Sequence, residues 1–178
     1  MKKISSNGEM IFAYKISLFA IWAIGFAACG TVRFNMSGAD IGNAKTCQIN
    51  FFENRAEINY APLSALVTDA LKDKILSSTS LKMVNSSADV MFEGEITGYN
   101  VQSQQITATG LAARDRLTIT VKVRFSNELD PEKNYDRSFS RFQEYPGGES
   151  LSSYESQLVD DILAELMEDI FNEAFATW

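Results

Sequence analysis

The 178-residue chain has no histidine, two cysteines and three prolines. Without histidine it lacks the commonest general base and the commonest metal ligand. Two cysteines, at positions 29 and 47, cannot supply a four-ligand zinc site. There is no Gly-x-Ser-x-Gly elbow, no phosphate-binding loop and no dinucleotide fingerprint. The turn Asn127–Asn134 carries acids but not the ligand spacing of a calcium loop. The carboxylate pairs Asp160-Asp161 and Glu168-Asp169 read as a solvated helix face, and Glu93 and Glu95 as cross-strand partners for Lys122 or Arg124. The expectation is a protein that is not an enzyme and needs no cofactor or metal.

An excess of positive charge is missing as well. The chain stands at −7, and residues 1–28 hold Lys2, Lys3, Lys15 and Glu9, so the remainder stands at −9. A domain this acidic is a poor general binder of nucleic acid.

The chain has one long uncharged run. Ile16–Ala28 spans thirteen residues, follows a basic segment and ends in small residues before Cys29. A membrane span needs about 20 apolar residues, so this is an export signal. Phe26-Ala-Ala-Cys29-Gly30 resembles a lipobox, where cleavage precedes the cysteine and the thiol takes a diacylglyceryl group; Phe26 departs from the usual leucine. Cleavage after Ala28 in a soluble secreted protein is the other reading, but it calls for a small residue where Phe26 stands. Lipidation leaves Cys47 without a disulfide partner, as a small core residue; an exported protein could instead join Cys29 to Cys47.

The organisation expected is a signal at 1–28, a lipidated tether at 29–44, which holds three glycines and no period, and one domain at 45–178. Thr46–Asn54 alternates, with Cys47, Ile49 and Phe51 on one side, and reads as a half-buried strand. Pro62 opens a helix whose apolar face is Leu63, Leu66, Val67, Ala70, Leu71 and Ile75. Val90–Val101 reads as a strand with Gly94 and Gly98 on its apolar side, which points to a bulge or a close helix crossing. Gln102–Ala113 reads as a loop. Leu117–Phe125 alternates without a break and carries the strongest strand signal. Tyr135–Tyr145 returns as a hairpin, broken at Pro146-Gly-Gly148. Ser152 and Glu155 form a capping-box pattern ahead of a long amphipathic helix running to Trp178.

The fold class expected is α+β in two layers: two helices packed on one face of a four-stranded sheet, in the order β-α-β-β-β-α. The other face is left uncovered and polar. Lys122, Arg124, Arg137 and Arg141 are the candidate contacts on it for an anionic glycolipid or a protein partner.

Several segments resemble one family. Phe51-Phe-Glu-Asn-Arg-Ala56, Leu71-Lys-Asp-Lys-Ile75, Phe92-Glu-Gly-Glu-Ile-Thr-Gly-Tyr99, Arg116–Phe125 and Glu168–Trp178 are similar to the LptE-like lipoproteins of Bacteroidota. These are scaffold sequences, so the likeness rests on coverage rather than on a catalytic motif. It implies an outer-membrane lipoprotein of the periplasmic side that partners an LptD-type β-barrel, acts as its plug and assembly partner, and contacts lipopolysaccharide through lipid A phosphates. It also implies two helices against a four-stranded sheet. The alternative class is a periplasmic lipoprotein that binds a small ligand or adapts another envelope protein. Cys29→Ala is expected to abolish acylation and release the domain from membranes; labelling with a clickable fatty acid followed by fractionation checks it, and continued labelling would contradict the assignment.

Overall fold

In the computed structural model, residues 39–58, 60–104 and 113–176 are described. The signal segment, the lipobox and Cys29 lie outside them, as do the greater part of the expected 102–113 loop and the last two residues.

The uninterrupted alternation builds the centre of the sheet. Strand β5 (Arg114–Asn127) buries Leu117, Ile119, Val121, Val123 and Phe125 completely and turns Thr118, Thr120, Lys122 and Arg124 the other way. Each such burial contributes about 1.5–3 kcal/mol. β5 pairs antiparallel with β4 (Val90–Gln104) on one side and β6 (Tyr135–Pro146) on the other. Beyond β4 run the parallel strands β1 (Thr46–Ile49), β2 (Glu53–Asn54) and β3 (Lys82–Met83). Asp89 fastens this junction, accepting from the Lys45 and Thr46 amides at 2.8 and 2.9 Å and from the Thr46 hydroxyl at 2.8 Å.

The expected four strands in the order β-α-β-β-β-α are thus six, in the order β-β-α-β-β-β-β-α. One reason is β3, two residues long and too short to show a period. The other is a break in the first strand. Ile49 lies opposite Phe92 and Glu53 opposite Glu95, so one extra residue is absorbed between β1 and β2. The break reverses the expected phase: Phe51 points outward, 61% exposed, while Phe52 is fully buried. The Phe52 amide donates to Thr68 Oγ1 at 3.1 Å, and that hydroxyl donates on to the Ser64 carbonyl.

A second bulge lies where the glycines of β4 predict irregularity, between Ile96 and Gly98. It moves Gly98 to the face opposite the expected one, beside Thr120, and brings Tyr99 inside, 1% exposed. β4 also continues to Gln104, so the first residues of the expected loop are strand.

Helix α1 (Leu63–Ser78) follows Pro62 directly and buries Leu63, Val67, Leu71 and Ile75. Helix α2 (Glu155–Phe175) buries a stripe from Leu158 to Phe175. Both pack on the apolar face of the sheet, where the Phe92, Phe125 and Phe175 rings meet with centroids 4.8 to 6.0 Å apart. The expected capping box does not form. A 3₁₀ turn at Leu151–Ser153 leads into α2, Ser152 Oγ pairs with Ser150 Oγ, and Glu155 accepts from the Tyr99 hydroxyl at 2.5 Å. A buried phenol needs a partner, and leaving it unpaired costs more than the roughly 1 kcal/mol a cap contributes. Burial and this bond push the Tyr99 hydroxyl well above the ordinary tyrosine range.

The last residues of the expected tether are docked. Ala39 bridges to Ala176, the Asp40 amide donates to the Phe175 carbonyl at 2.7 Å, Lys133 donates to Asp40 at 2.8 Å, and Ala44 is buried. None of the described helices is long and apolar enough to cross a membrane.

Gly94 has no room for a side chain. A Cβ there would lie 2.1 Å from the Lys122 carbonyl oxygen and 2.7 Å from the Phe52 ring. Gly94→Ala is therefore expected to lower stability by about 2–3 kcal/mol, since neither backbone nor a buried ring yields cheaply; urea unfolding followed by far-UV circular dichroism checks it, and an unchanged midpoint would contradict it.

Candidate partner-binding face

Directly opposite residues in neighbouring strands share a face of the sheet. The register therefore sets side chains in rows across the side that the helices leave bare. One row is Glu93, Arg124 and Asp136; the next is Glu95, Lys122 and Ser138; then Gly98, Thr120 and Ser140; then Asn100, Thr118 and Phe142; then Gln102, Arg116 and Glu144. The expectation of a polar uncovered face holds for most of these residues; Phe142 is the apolar exception.

The charged rows are compensated within the protein. Arg124 reaches Glu93 at 3.2 Å and Asp136 at 3.4 Å, and Lys122 reaches Asp136 at 3.3 Å. The Asp136 hydrogen bond, foremost among these contacts, raises the Arg124 guanidinium further above its ordinary range. Arg55 bridges Glu53 at 2.7 Å and Glu95 at 3.4 Å. The reading of Glu93 and Glu95 as cross-strand partners of the basic pair is met by the Glu93–Arg124 contact. A shallow groove of about 360 Å³ opens here, with Phe51 and Asn50 at its side and Gly94 in its lining. At the other end of the face Arg116 holds Glu144 at 2.7 Å and lies over the Phe142 ring, 3.9 Å from its centroid. Phe51 and Phe142, 61% and 46% exposed, are aromatics on this face that sequence reading missed, because strand alternation assigns Phe51 to the core and gives no reason to single out Phe142.

The four candidate cations do not share this face. Arg137 lies opposite Val123 and Arg141 opposite Ile119, on the side that the helices cover. Arg141 donates through two nitrogens to Asp169 at 2.5 and 2.6 Å, and Arg137 pairs with Glu173 at 2.6 Å. Gln143 reaches Glu165 at 2.8 Å. Their placement on the open face is therefore corrected: they fasten α2 to the edge strand. The apolar stems cover the sheet while the charged heads meet carboxylates beyond it. The readable signal was Glu165, Asp169 and Glu173, a four-residue repeat that forms one acidic stripe along α2.

The remaining nucleophile is inert. Cys47 is a free, fully buried thiol, and burial pushes its pKa up to about 12. Among the described residues no group of three His, Cys, Asp or Glu side chains is placed to hold a metal ion. This arrangement can bind by shape, hydrogen bonds and matched charges; it contains no activated acid, base or nucleophile among the groups described.

A family model described as LptE, lipopolysaccharide-assembly, matches residues 44–174. Among solved structures, a hypothetical protein from Chlamydia trachomatis has a TM-score of 0.50 at 10% identity, covering 74% of this chain and 98% of its own. That likeness is one of fold. A minor lipoprotein from Acinetobacter baumannii has a TM-score of 0.47 at 14% identity, covering 75% of this chain and 95% of its own. The uncharacterized lipoprotein B from Nitrosomonas europaea has a TM-score of 0.48 at 15% identity, covering 80% of this chain and 87% of its own. No curated protein matches the chain.

Lys122→Glu combined with Arg124→Glu is expected to leave the fold intact at room temperature but to lower the unfolding midpoint, because the new carboxylates face Glu93, Glu95 and Asp136 across the strands. Circular dichroism with thermal melting checks it, and loss of the folded baseline at room temperature would contradict it.

Proposed function

The chain belongs to the LptE lipopolysaccharide-assembly family, and from that premise we propose that it is the lipid-anchored partner of an LptD-type outer-membrane barrel. Residues 1–28 direct export and Cys29 carries the acyl chains. The residues between Cys29 and the docked Ala39 tether the domain to the periplasmic side of the outer membrane. Each buried methylene contributes about 0.8 kcal/mol, so two or three acyl chains hold a soluble domain at a bilayer almost permanently.

The observation that carries this reading is the extent of the family match. It runs from Ala44, just ahead of β1, to Ala174 in the last turn of α2, and so takes in nearly the whole described fold rather than one motif. The geometry supports the plug role. One side of the sheet is sealed by helices, and the other offers rows of hydroxyls and paired charges, a surface suited to the polar lumen of a barrel.

The charge pattern ranks the contacts. Lys122 and Arg124 are already paired, so a lipid A phosphate would reach them only by exchanging with Asp136 or Glu93. A protein wall with its own alternating charges meets the face without breaking those pairs. The barrel is thus the first partner of this face and lipopolysaccharide the second. Arg137 and Arg141 act on either partner indirectly, by holding α2.

Affinity purification of the full chain from native membranes in mild detergent is expected to recover a large outer-membrane barrel, identified by mass spectrometry. The Lys122→Glu/Arg124→Glu variant is expected to recover less of it while remaining folded. Recovery of no barrel by the unaltered chain would refute the proposal.

A further inference from the structure

The helix side of the domain carries a groove of its own, apart from the open face. It runs between α1 and α2 and holds about 550 Å³. Its floor is Leu66 and Ala70 of α1 with Leu163, Ala164 and Met167 of α2. The two alanines keep it open. Ala164 is exposed and Ala70 half-buried, at positions where longer side chains would fill the seam between the helices.

The walls are acidic. Asp69 and Asp73 stand on α1, Asp160 and Glu168 on α2, against one lining cation, Lys74. Lys74 is committed to Glu168 and to the Phe171 ring, 5.0 Å from its centroid, and Lys72 meets Asp69 at 3.2 Å. Asp73 and Asp160, one on each wall, enter no ion pair among the described residues.

Exposed carboxylates are content in water, so the acid alone points to no partner. The combination does. An apolar floor between acidic walls is complementary to a segment with an apolar stripe flanked by lysine or arginine. The seam between two packed helices seats a third, whose side chains at i, i+3 and i+4 reach the floor. Met167 adds an adaptable surface for them. The same walls repel a lipid A phosphate, which separates this groove from the open face with its Lys122 and Arg124.

We propose that the groove seats a cationic amphipathic helix of the barrel partner. This rests on the barrel reading above: a domain held in a lumen is met by the barrel on its helix side as well as on its sheet side. The groove sets the chemistry of that second contact.

The full chain carrying Ala164→p-benzoylphenylalanine, irradiated in native membranes, is expected to crosslink to the barrel. Mass spectrometry of the linked peptide is expected to show apolar residues at helical spacing flanked by lysine or arginine. Ser140→p-benzoylphenylalanine reports the open face in the same way. Asp73→Lys combined with Asp160→Lys alters two exposed residues, so the circular dichroism spectrum and the position-140 crosslink stay as they are. The position-164 crosslink is expected to fall by about ten-fold, since like charges now meet across the groove. Barrel linkage at 140 without barrel linkage at 164 would overturn the groove proposal and leave the barrel reading standing. So would linkage at 164 to a segment lacking that pattern, or a position-164 crosslink indifferent to the two lysines. Barrel linkage at neither position would overturn both.

Discussion

The structure depends on a one-sided sheet. Two helices can cover one face of a sheet this wide and no more, so every strand must divide its residues between a dry side and a wet side. β5 does this without a fault: five fully buried apolar residues alternate with hydroxyls and cations. Because β4 and β6 both pair with β5, its phase fixes which of their side chains point to the helices and which to solvent. The position of every candidate contact follows from that phase.

Two bulges then adjust what each side carries. Between β1 and β2 the extra residue turns Phe51 to the open face and supplies Phe52 to the core. In β4 the shift between Ile96 and Gly98 does the converse: Tyr99 enters the core and finds Glu155, and Gly98 leaves the open face bare beside Thr120. Both exchanges decide what packs inside and what stays exposed. The core gains two large rings, and the open face gains one protruding phenyl ring at its groove.

Much of this was legible in the sequence. The alternation of Leu117–Phe125, the three- and four-residue spacing of both helices and the return strand all rest on periods long enough to stand out. The irregularity at the β4 glycines was legible too, though not its direction, because one inserted residue inverts every side chain after it. The strand Lys82–Met83 was not, being shorter than any period. The capping box failed for a tertiary reason: Tyr99, far off in sequence, outbid the local amides for Glu155. Of the four candidate cations, Lys122 and Arg124 inherited the certainty of β5. Arg137 and Arg141 lay in a strand whose aromatics and polar residues fit either phase, and only the register against β5 settles them on the helix side. Cys29, the clearest single residue in the sequence reading, lies outside the described residues.

The fate of those two arginines bears on the terminal helix as much as on the face. Charged side chains on a border strand usually repel other strands. Here the guanidinium of Arg141 is held by two bonds to Asp169 and that of Arg137 by Glu173, so both are drawn across the sheet toward α2. The same contacts therefore join the terminal helix to β6. An acidic helix stripe and a basic edge strand are two parts of one arrangement: together they secure the terminal helix against the border of the sheet.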